Sequence, residues 1–107
     1  MPLTVAQSLT PAEVEFDAGR PVSRRFGDIY YDADGPAEVA RVFLYPAAFD
    51  KRTRDPAGAF TIGELGFGTG LNFLVAAQVA RCRLHFISVE RHPLSVADLA
   101  RSLAPWR

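Results

Sequence analysis

The clearest alternation of hydrophobic and polar positions lies in the second half of the chain. Phe60-Thr61-Ile62-Gly63-Glu64-Leu65 is a short apolar run that reads as a buried strand and leads straight into Gly66-Phe67-Gly68-Thr69-Gly70. Leu71 to Ala80 contains neither Gly nor Pro, and Leu71, Leu74, Val75, Ala77 and Val79 predict a largely apolar helix suited to packing on a sheet. Arg81 and Arg83 flank its end, where cations complement the helix dipole. Leu84 to Glu90 predicts a second strand. Its uniform apolarity is expected where helices cover both faces of a parallel sheet. Pro93 ends it, Ser95-Val96-Ala97-Asp98 has the form of a capping box, and Val96, Leu99, Ala100 and Leu103 share one face of a final helix.

The first half is less regular. Residues 1–24 contain Pro2, Pro11, Pro21 and Gly19 between short apolar pieces such as Val14-Glu15-Phe16, which predicts a meandering arm with one short strand. Phe26 to Tyr31 and Val39 to Leu44 are rich in strand formers and flank Asp34-Gly35, a pattern that predicts a hairpin. Pro36 supports a different outcome, a helical turn from Pro36 to Arg41. Pro46 to Ala59 is polar and rich in helix and strand breakers, and reads as a surface loop preceding the main fold. The chain thus divides into residues 1–59, an arm, hairpin and loop, and residues 60–107, a strand, glycine loop, helix, strand and helix.

Composition narrows the classes further. Twelve basic and twelve acidic side chains in 107 residues leave a formal charge of +0, so no global field marks a nucleic-acid or membrane-surface binder. With 49% hydrophobic and 22% charged residues the chain has the composition of an ordinary globular protein. The single Cys82 excludes an internal disulfide and a cysteine metal cage, and fits a reducing, cytoplasmic setting. Met1 to Thr10 carries no signal-peptide pattern and no long uncharged apolar run occurs, so no membrane attachment is expected.

Candidate chemistry concentrates at Glu64-x-Gly66-x-Gly68-x-Gly70. Alternate glycines allow a tight turn, open φ angles closed to other residues and keep Cβ atoms away from a ligand; a tight strand-to-helix turn alone is the plainer reading. Glu90 closes the next strand, where a carboxylate can accept bonds from both ribose hydroxyls of a nucleoside lying over the loop. A dinucleotide pyrophosphate favours Gly-x-Gly-x-x-Gly, but here Leu71 takes the third glycine's place and Glu64 would repel phosphate. S-adenosylmethionine, with a sulfonium and an ammonium and no phosphate, suits the loop better; an NAD-dependent oxidoreductase is the less favoured alternative.

These residues also carry a resemblance. Thr61 to Leu74 and Leu84 to Leu94, together with Pro21 to Tyr31 and Ala40 to Leu44, resemble the methyltransferase domain of the MnmC family, the tRNA 5-methylaminomethyl-2-thiouridine biosynthesis proteins. Where family members often carry a Gly-Asn pair after the Phe43-Leu44 position, this chain has Tyr45-Pro46-Ala47-Ala48. The resemblance implies an α/β fold, the N-terminal half of a Rossmann-like S-adenosylmethionine-dependent methyltransferase preceded by an arm and hairpin. It also implies methyl transfer to the aminomethyl nitrogen of 5-aminomethyl-2-thiouridine at the wobble position of tRNA, with Glu64, Gly66, Phe67, Gly68, Gly70, Asn72 and Glu90 binding the cofactor. In the family the catalytic carboxylate follows the fourth strand. The chain is therefore expected to stop short of that motif, to carry no catalytic residue and to be inactive alone. A non-catalytic cofactor-binding remnant, or a fragment docking with a second chain that supplies the missing strands, is the alternative.

The remaining chemistry-bearing residues have plainer readings. His85, His92 and Cys82 read as structural side chains, not as metal ligands or a nucleophile. Tyr30, Tyr31 and Arg24-Arg25 are candidates for contact with an anticodon base and phosphate. The Asn72 amide is placed either to reach the amino-acid end of the cofactor or to cap the helix.

Overall fold

The computed structural model describes residues 9–106, so the reading of Met1 to Thr10 lies for the most part outside the described residues. Val14–Asp17 (β1) and Arg20–Ser23 (β2) form an antiparallel hairpin with Val14 opposite Ser23 and Asp17 opposite Arg20. Ala18 and Gly19 join them with φ of +50° and +80°, the left-handed pair that matches a two-residue turn to the strand twist. The expected arm with a single strand is thus a two-stranded ribbon. Pro21 reads as a breaker, but a two-stranded ribbon has a free side on which a missing N–H removes no ladder bond.

The hairpin expected around Asp34-Gly35 does not form. Residues 26–31 make one isolated bridge, Val22 to Ile29, and the chain then enters a helix over Gly35–Val39 (α1) that widens into a π-helix over Ala40–Leu44. Asp34-Gly35 serves as a helix entry: the Gly35 N–H donates to the Asp32 carbonyl at 2.9 Å, and the Glu38 N–H to that of Asp34 at 2.9 Å. Pro36 sits in the first turn, where its missing N–H costs nothing, so the helical alternative is the one adopted. In the π segment the Tyr45 N–H reaches back five residues to the Ala40 carbonyl at 2.8 Å.

The stretch from Pro46 to Ala59 is more than a surface loop. It contains a short helix, Phe49–Arg52 (α2), and Phe49 is 2% exposed. The Phe49 ring meets Phe60 edge-on at 5.4 Å, and the Arg52 guanidinium lies over the other partner, Phe60, at 4.8 Å. Thr53 is wholly buried; its hydroxyl donates to the Phe49 carbonyl at 2.8 Å, and its own carbonyl accepts the N–H groups of Arg81 and Cys82, each at 3.0 Å.

Ala59–Leu65 (β3) and Arg83–Val89 (β4) pair in parallel, Ala59 opposite Arg83 through Leu65 opposite Val89. Leu71–Val79 (α3) crosses between them, as a parallel pair requires. Phe60, Ile62 and Leu84 turn toward the core of Tyr31, Val39, Leu44, Phe49, Leu71, Val75 and Ala76. The opposite face, with Thr61, Leu65, His85, Ile87 and Val89, is exposed, and Leu65 is 91% so. The expectation that both faces are covered therefore fails for the described residues: the uniform apolarity of β4 includes side chains that meet water.

Val96–Leu103 (α4) begins at Ser95, whose hydroxyl accepts the Asp98 N–H at 3.1 Å, and ends in a 3-10 turn over Ala104–Trp106. Its buried face is rotated from the one expected, since Val96 is 82% exposed whereas Ser102 is fully buried. The Tyr31 hydroxyl donates to the Ser102 carbonyl and its ring meets Trp106 edge-on at 4.7 Å, which ties this end to the N-terminal segment. No helix among the described residues is long and apolar enough to cross a membrane.

Phe49→Ala is expected to cost about 3–5 kcal/mol, read as a lower denaturant midpoint, because the cavity it leaves lies under Phe60. Ser102→Ala has the opposite expectation. The Ser102 hydroxyl is buried with no hydrogen-bond partner among the described residues. Its removal should leave stability unchanged or raise it by up to about 1 kcal/mol in the same assay.

Candidate functional site

Period-two alternation puts Glu64 and Ser88 on the core face at the carboxyl ends of β3 and β4, directly opposite one another. Glu90 is the next position on the same side. The Gly66 N–H donates to the Val89 carbonyl at 2.8 Å, extending the ladder by one bond before the chain leaves the sheet. The loop then turns with φ of +86° at Gly66, +58° at Gly68 and +80° at Gly70. The Gly70 N–H closes a turn onto the Phe67 carbonyl at 3.0 Å, which puts Gly68 at the first central position with its positive φ. Left-handed angles at three alternate positions explain the spacing of the glycines: any other residue there would be strained.

Both carboxylates are held. The Ser88 hydroxyl and the Asn72 amide donate to the two oxygens of Glu64 at 2.8 and 2.9 Å. Glu90 accepts the Gly68 N–H at 2.7 Å on one oxygen and the His92 N–H at 3.1 Å on the other. Each oxygen keeps a further lone pair, so a carboxylate fixed in this way still accepts from a ligand. Asn72 therefore neither caps α3, where Gly70 stands at the N-cap, nor points away; it orients Glu64. No local pattern marks Ser88; its place opposite Glu64 follows from the strand register.

Three cavities run along this edge. One of about 260 Å³ holds Glu64, Gly66 and Asn72 against apolar Val39, Phe43 and Phe86. The next, about 350 Å³, is floored by Gly66, Phe67, Gly68 and Thr69 and closed by Tyr30 and Glu38. A third, about 250 Å³, holds Glu90, Ser23, Asp28 and His92, again with Tyr30 in its wall. The Phe67 ring folds back over Gly70, where a Cβ would stand 2.8 Å from it. Burial pushes the Tyr30 phenol above its usual range, a hydrogen bond with Ser23 partly offsets this, and the charges of Glu90 and Asp98 add to the rise.

Apart from His92, which shares the third cavity with Glu90, the other candidates fall elsewhere. Tyr31 is buried in the core, which removes it as a stacking surface for a base. Arg24 is paired with Glu15 at 2.8 Å on the surface and Arg25 lies over Phe26. His85 is exposed on the open face of β4, His92 Nδ1 lies 3.1 Å from the Thr10 carbonyl, and the half-buried Cys82 thiol contacts the Arg83 carbonyl at 3.5 Å.

Relatives share this segment. Over 89% of its length the chain is 49% identical to the tRNA 5-methylaminomethyl-2-thiouridine biosynthesis bifunctional protein MnmC of Stutzerimonas stutzeri, covering 16% of that protein. The MnmC of Thiobacillus denitrificans is 44% identical over 94% of the chain, with 17% of the relative covered. That of Pseudomonas fluorescens strain Pf0-1 is 50% identical over 84%, with 15% covered. The chain is homologous to a segment of the MnmC proteins. It spans about a sixth of the length of these MnmC relatives. No protein-family model matches it. The MnmC resemblance read from the glycine loop and the two strands thus holds for nearly the whole chain.

The glycine geometry separates two substitutions. A Cβ at Gly66 meets nothing within 4 Å, so Gly66→Ala should cost only the left-handed backbone, about 1–2 kcal/mol. At Gly70 the same Cβ also displaces the Phe67 ring, which should add roughly 1–3 kcal/mol. Equal denaturant midpoints for the two variants would contradict this.

Proposed function

We propose that this chain is the S-adenosylmethionine-binding segment of the methyltransferase part of an MnmC-type protein, in which residues 60–107 form the cofactor-binding unit and residues 1–59 cover it. The observation that carries the reading is the pair of anchored carboxylates flanking a glycine loop whose three glycines all have positive φ. The MnmC relatives are named as bifunctional in tRNA modification, and it is the loop chemistry that favours methyl transfer for this segment.

S-adenosylmethionine supplies an electrophilic methyl group on a sulfonium. Glu64, oriented by Ser88 and Asn72, is suited to an ammonium, and Glu90, oriented by two backbone N–H groups, is suited to a ribose diol. Gly66 and Gly68 offer bare backbone between them, Phe67 and Asn72 complete the lining, and Gly70 makes the turn beneath the Phe67 ring. The Glu64 carboxylate beside the loop disfavours a pyrophosphate, which weighs against a nicotinamide dinucleotide, whereas a ribose-binding Glu90 suits either cofactor. Holding a neutral amine in line with the methyl carbon accounts for most of the acceleration such a displacement needs. The acceptor in this reading is the aminomethyl nitrogen of 5-aminomethyl-2-thiouridine in a tRNA anticodon, in a cytoplasmic setting. The chain's part is the cofactor half of the reaction, and the proton acceptor is assigned to none of its residues.

Calorimetric titration tests the assignment. S-adenosylmethionine should bind the chain, and Glu90→Ala should abolish detectable binding. NAD should give no thermal stabilisation, and protection by NAD in place of S-adenosylmethionine would sink the proposal. Because the proton acceptor is assigned to none of the chain's residues, cofactor binding without methylation of the tRNA nucleoside by the chain alone is the expected result.

A further inference from the structure

Tyr30 and Tyr31 are neighbours whose side chains serve opposite sides of the chain. Tyr31 is locked into the core by the Ser102 carbonyl and Trp106. Its neighbour is fixed from the hairpin: the Tyr30 N–H donates to the Pro21 carbonyl at 3.0 Å, and Ile29 bridges to Val22. Held at both ends, the Tyr30 ring stands beside the glycine loop, with its Cδ1 3.6 Å from where a Gly68 Cβ would lie. The same ring lines the cavity above Gly66–Thr69, the cavity that contains Glu90, and a small cavity on the hairpin side that holds Glu13 and Arg25.

The charged groups around the first two of these cavities share one sign. Glu38 lines the first, Asp28 and Glu90 the second, and neither has a Lys or Arg in its lining. An aromatic face among carboxylates attracts a cation and offers nothing comparable to a neutral group of the same shape.

We infer that Tyr30 is a specificity residue of this site, whose ring face selects a ligand with a cationic centre between the glycine loop and Glu90. The inference rests on the cofactor reading above, and within it Tyr30 distinguishes the sulfonium of S-adenosylmethionine from the neutral thioether of S-adenosylhomocysteine. A methyl donor is thereby held more tightly than the product it leaves behind.

The test is calorimetric titration of the whole chain with both ligands, in the wild type and in Tyr30→Phe and Tyr30→Leu. Tyr30→Phe keeps the aromatic face and should keep the ratio of the two dissociation constants within about twofold. Tyr30→Leu should weaken S-adenosylmethionine by roughly tenfold, with S-adenosylhomocysteine changed by less than about twofold. Equal losses for both ligands, or no loss for either, would overturn the inference while leaving the cofactor assignment intact. Failure of the wild type to bind S-adenosylmethionine would overturn both. Should Tyr30→Leu not fold, the wild type still decides: sinefungin, which carries an ammonium in place of the sulfonium, should bind like S-adenosylmethionine. If it binds as S-adenosylhomocysteine does, the inference fails.

Discussion

The site depends on the parallel register of β3 and β4. That ladder sets Glu64 opposite Ser88 and carries the chain out of the sheet at Gly66, one residue past the Leu65–Val89 pair. A slip of one residue would move every side chain of one strand to the other face, separating Glu64 from Ser88 and burying what is now exposed. The register is specified by one face only, through Phe60, Ile62, Leu84 and Phe86 packing under the helices, with Phe86 against Phe73 at 5.2 Å. Two carboxylates and a loop of bare backbone are therefore positioned by apolar contacts well below them.

Local charge and backbone geometry act together at the loop. The Gly68 N–H that Glu90 accepts is presented by a residue with φ of +58°, so the bond that orients Glu90 also supports a left-handed conformation. Likewise Asn72 belongs to the first turn of α3 and Ser88 to β4, so Glu64 is oriented jointly by the crossover helix and the neighbouring strand. The carboxylates are part of the framework, and removing one perturbs the loop and the strand ends that it ties together.

The glycine loop and its flanking strands and helices were legible in the sequence because their signals are local. Glycine spacing reported positive φ, and apolar periodicity reported β3, α3 and β4. The first half was harder, since Asp34-Gly35-Pro36 has two local meanings and the choice is made by packing. Gly35 lies so close to Leu71 that a Cβ would stand 2.8 Å from its Cδ2, with Trp106 just beyond, and that contact belongs to a helix entry. Phe49 sits between Pro46-Ala47-Ala48 and Asp50-Lys51-Arg52, where a breaker on one side and charges on the other leave no period, yet it is among the most buried side chains. The open face of β3 and β4 departs from the expected two-sided cover for a related reason: an apolar strand reports a preference for burial, not that burial occurs. Ser88 and Tyr30 could be placed at the site only once partners distant in sequence were known.

The π-helix at Ala40–Leu44 gives the cavity wall an unusual sensitivity to chain length. It contains one more residue than an α-helix needs to cover the same turn, and Phe43, within it, lines both of the cavities beside Gly66. Each residue of a helix accounts for roughly 100° of rotation, so loss of a single residue here would preserve a helix of nearly the same length while swinging its side chains about a quarter turn. An insertion or deletion that a sequence comparison would score as trivial would thus exchange the phenylalanine lining these cavities for a neighbour such as Val42 or Leu44, resetting their shape without altering any residue of the glycine loop.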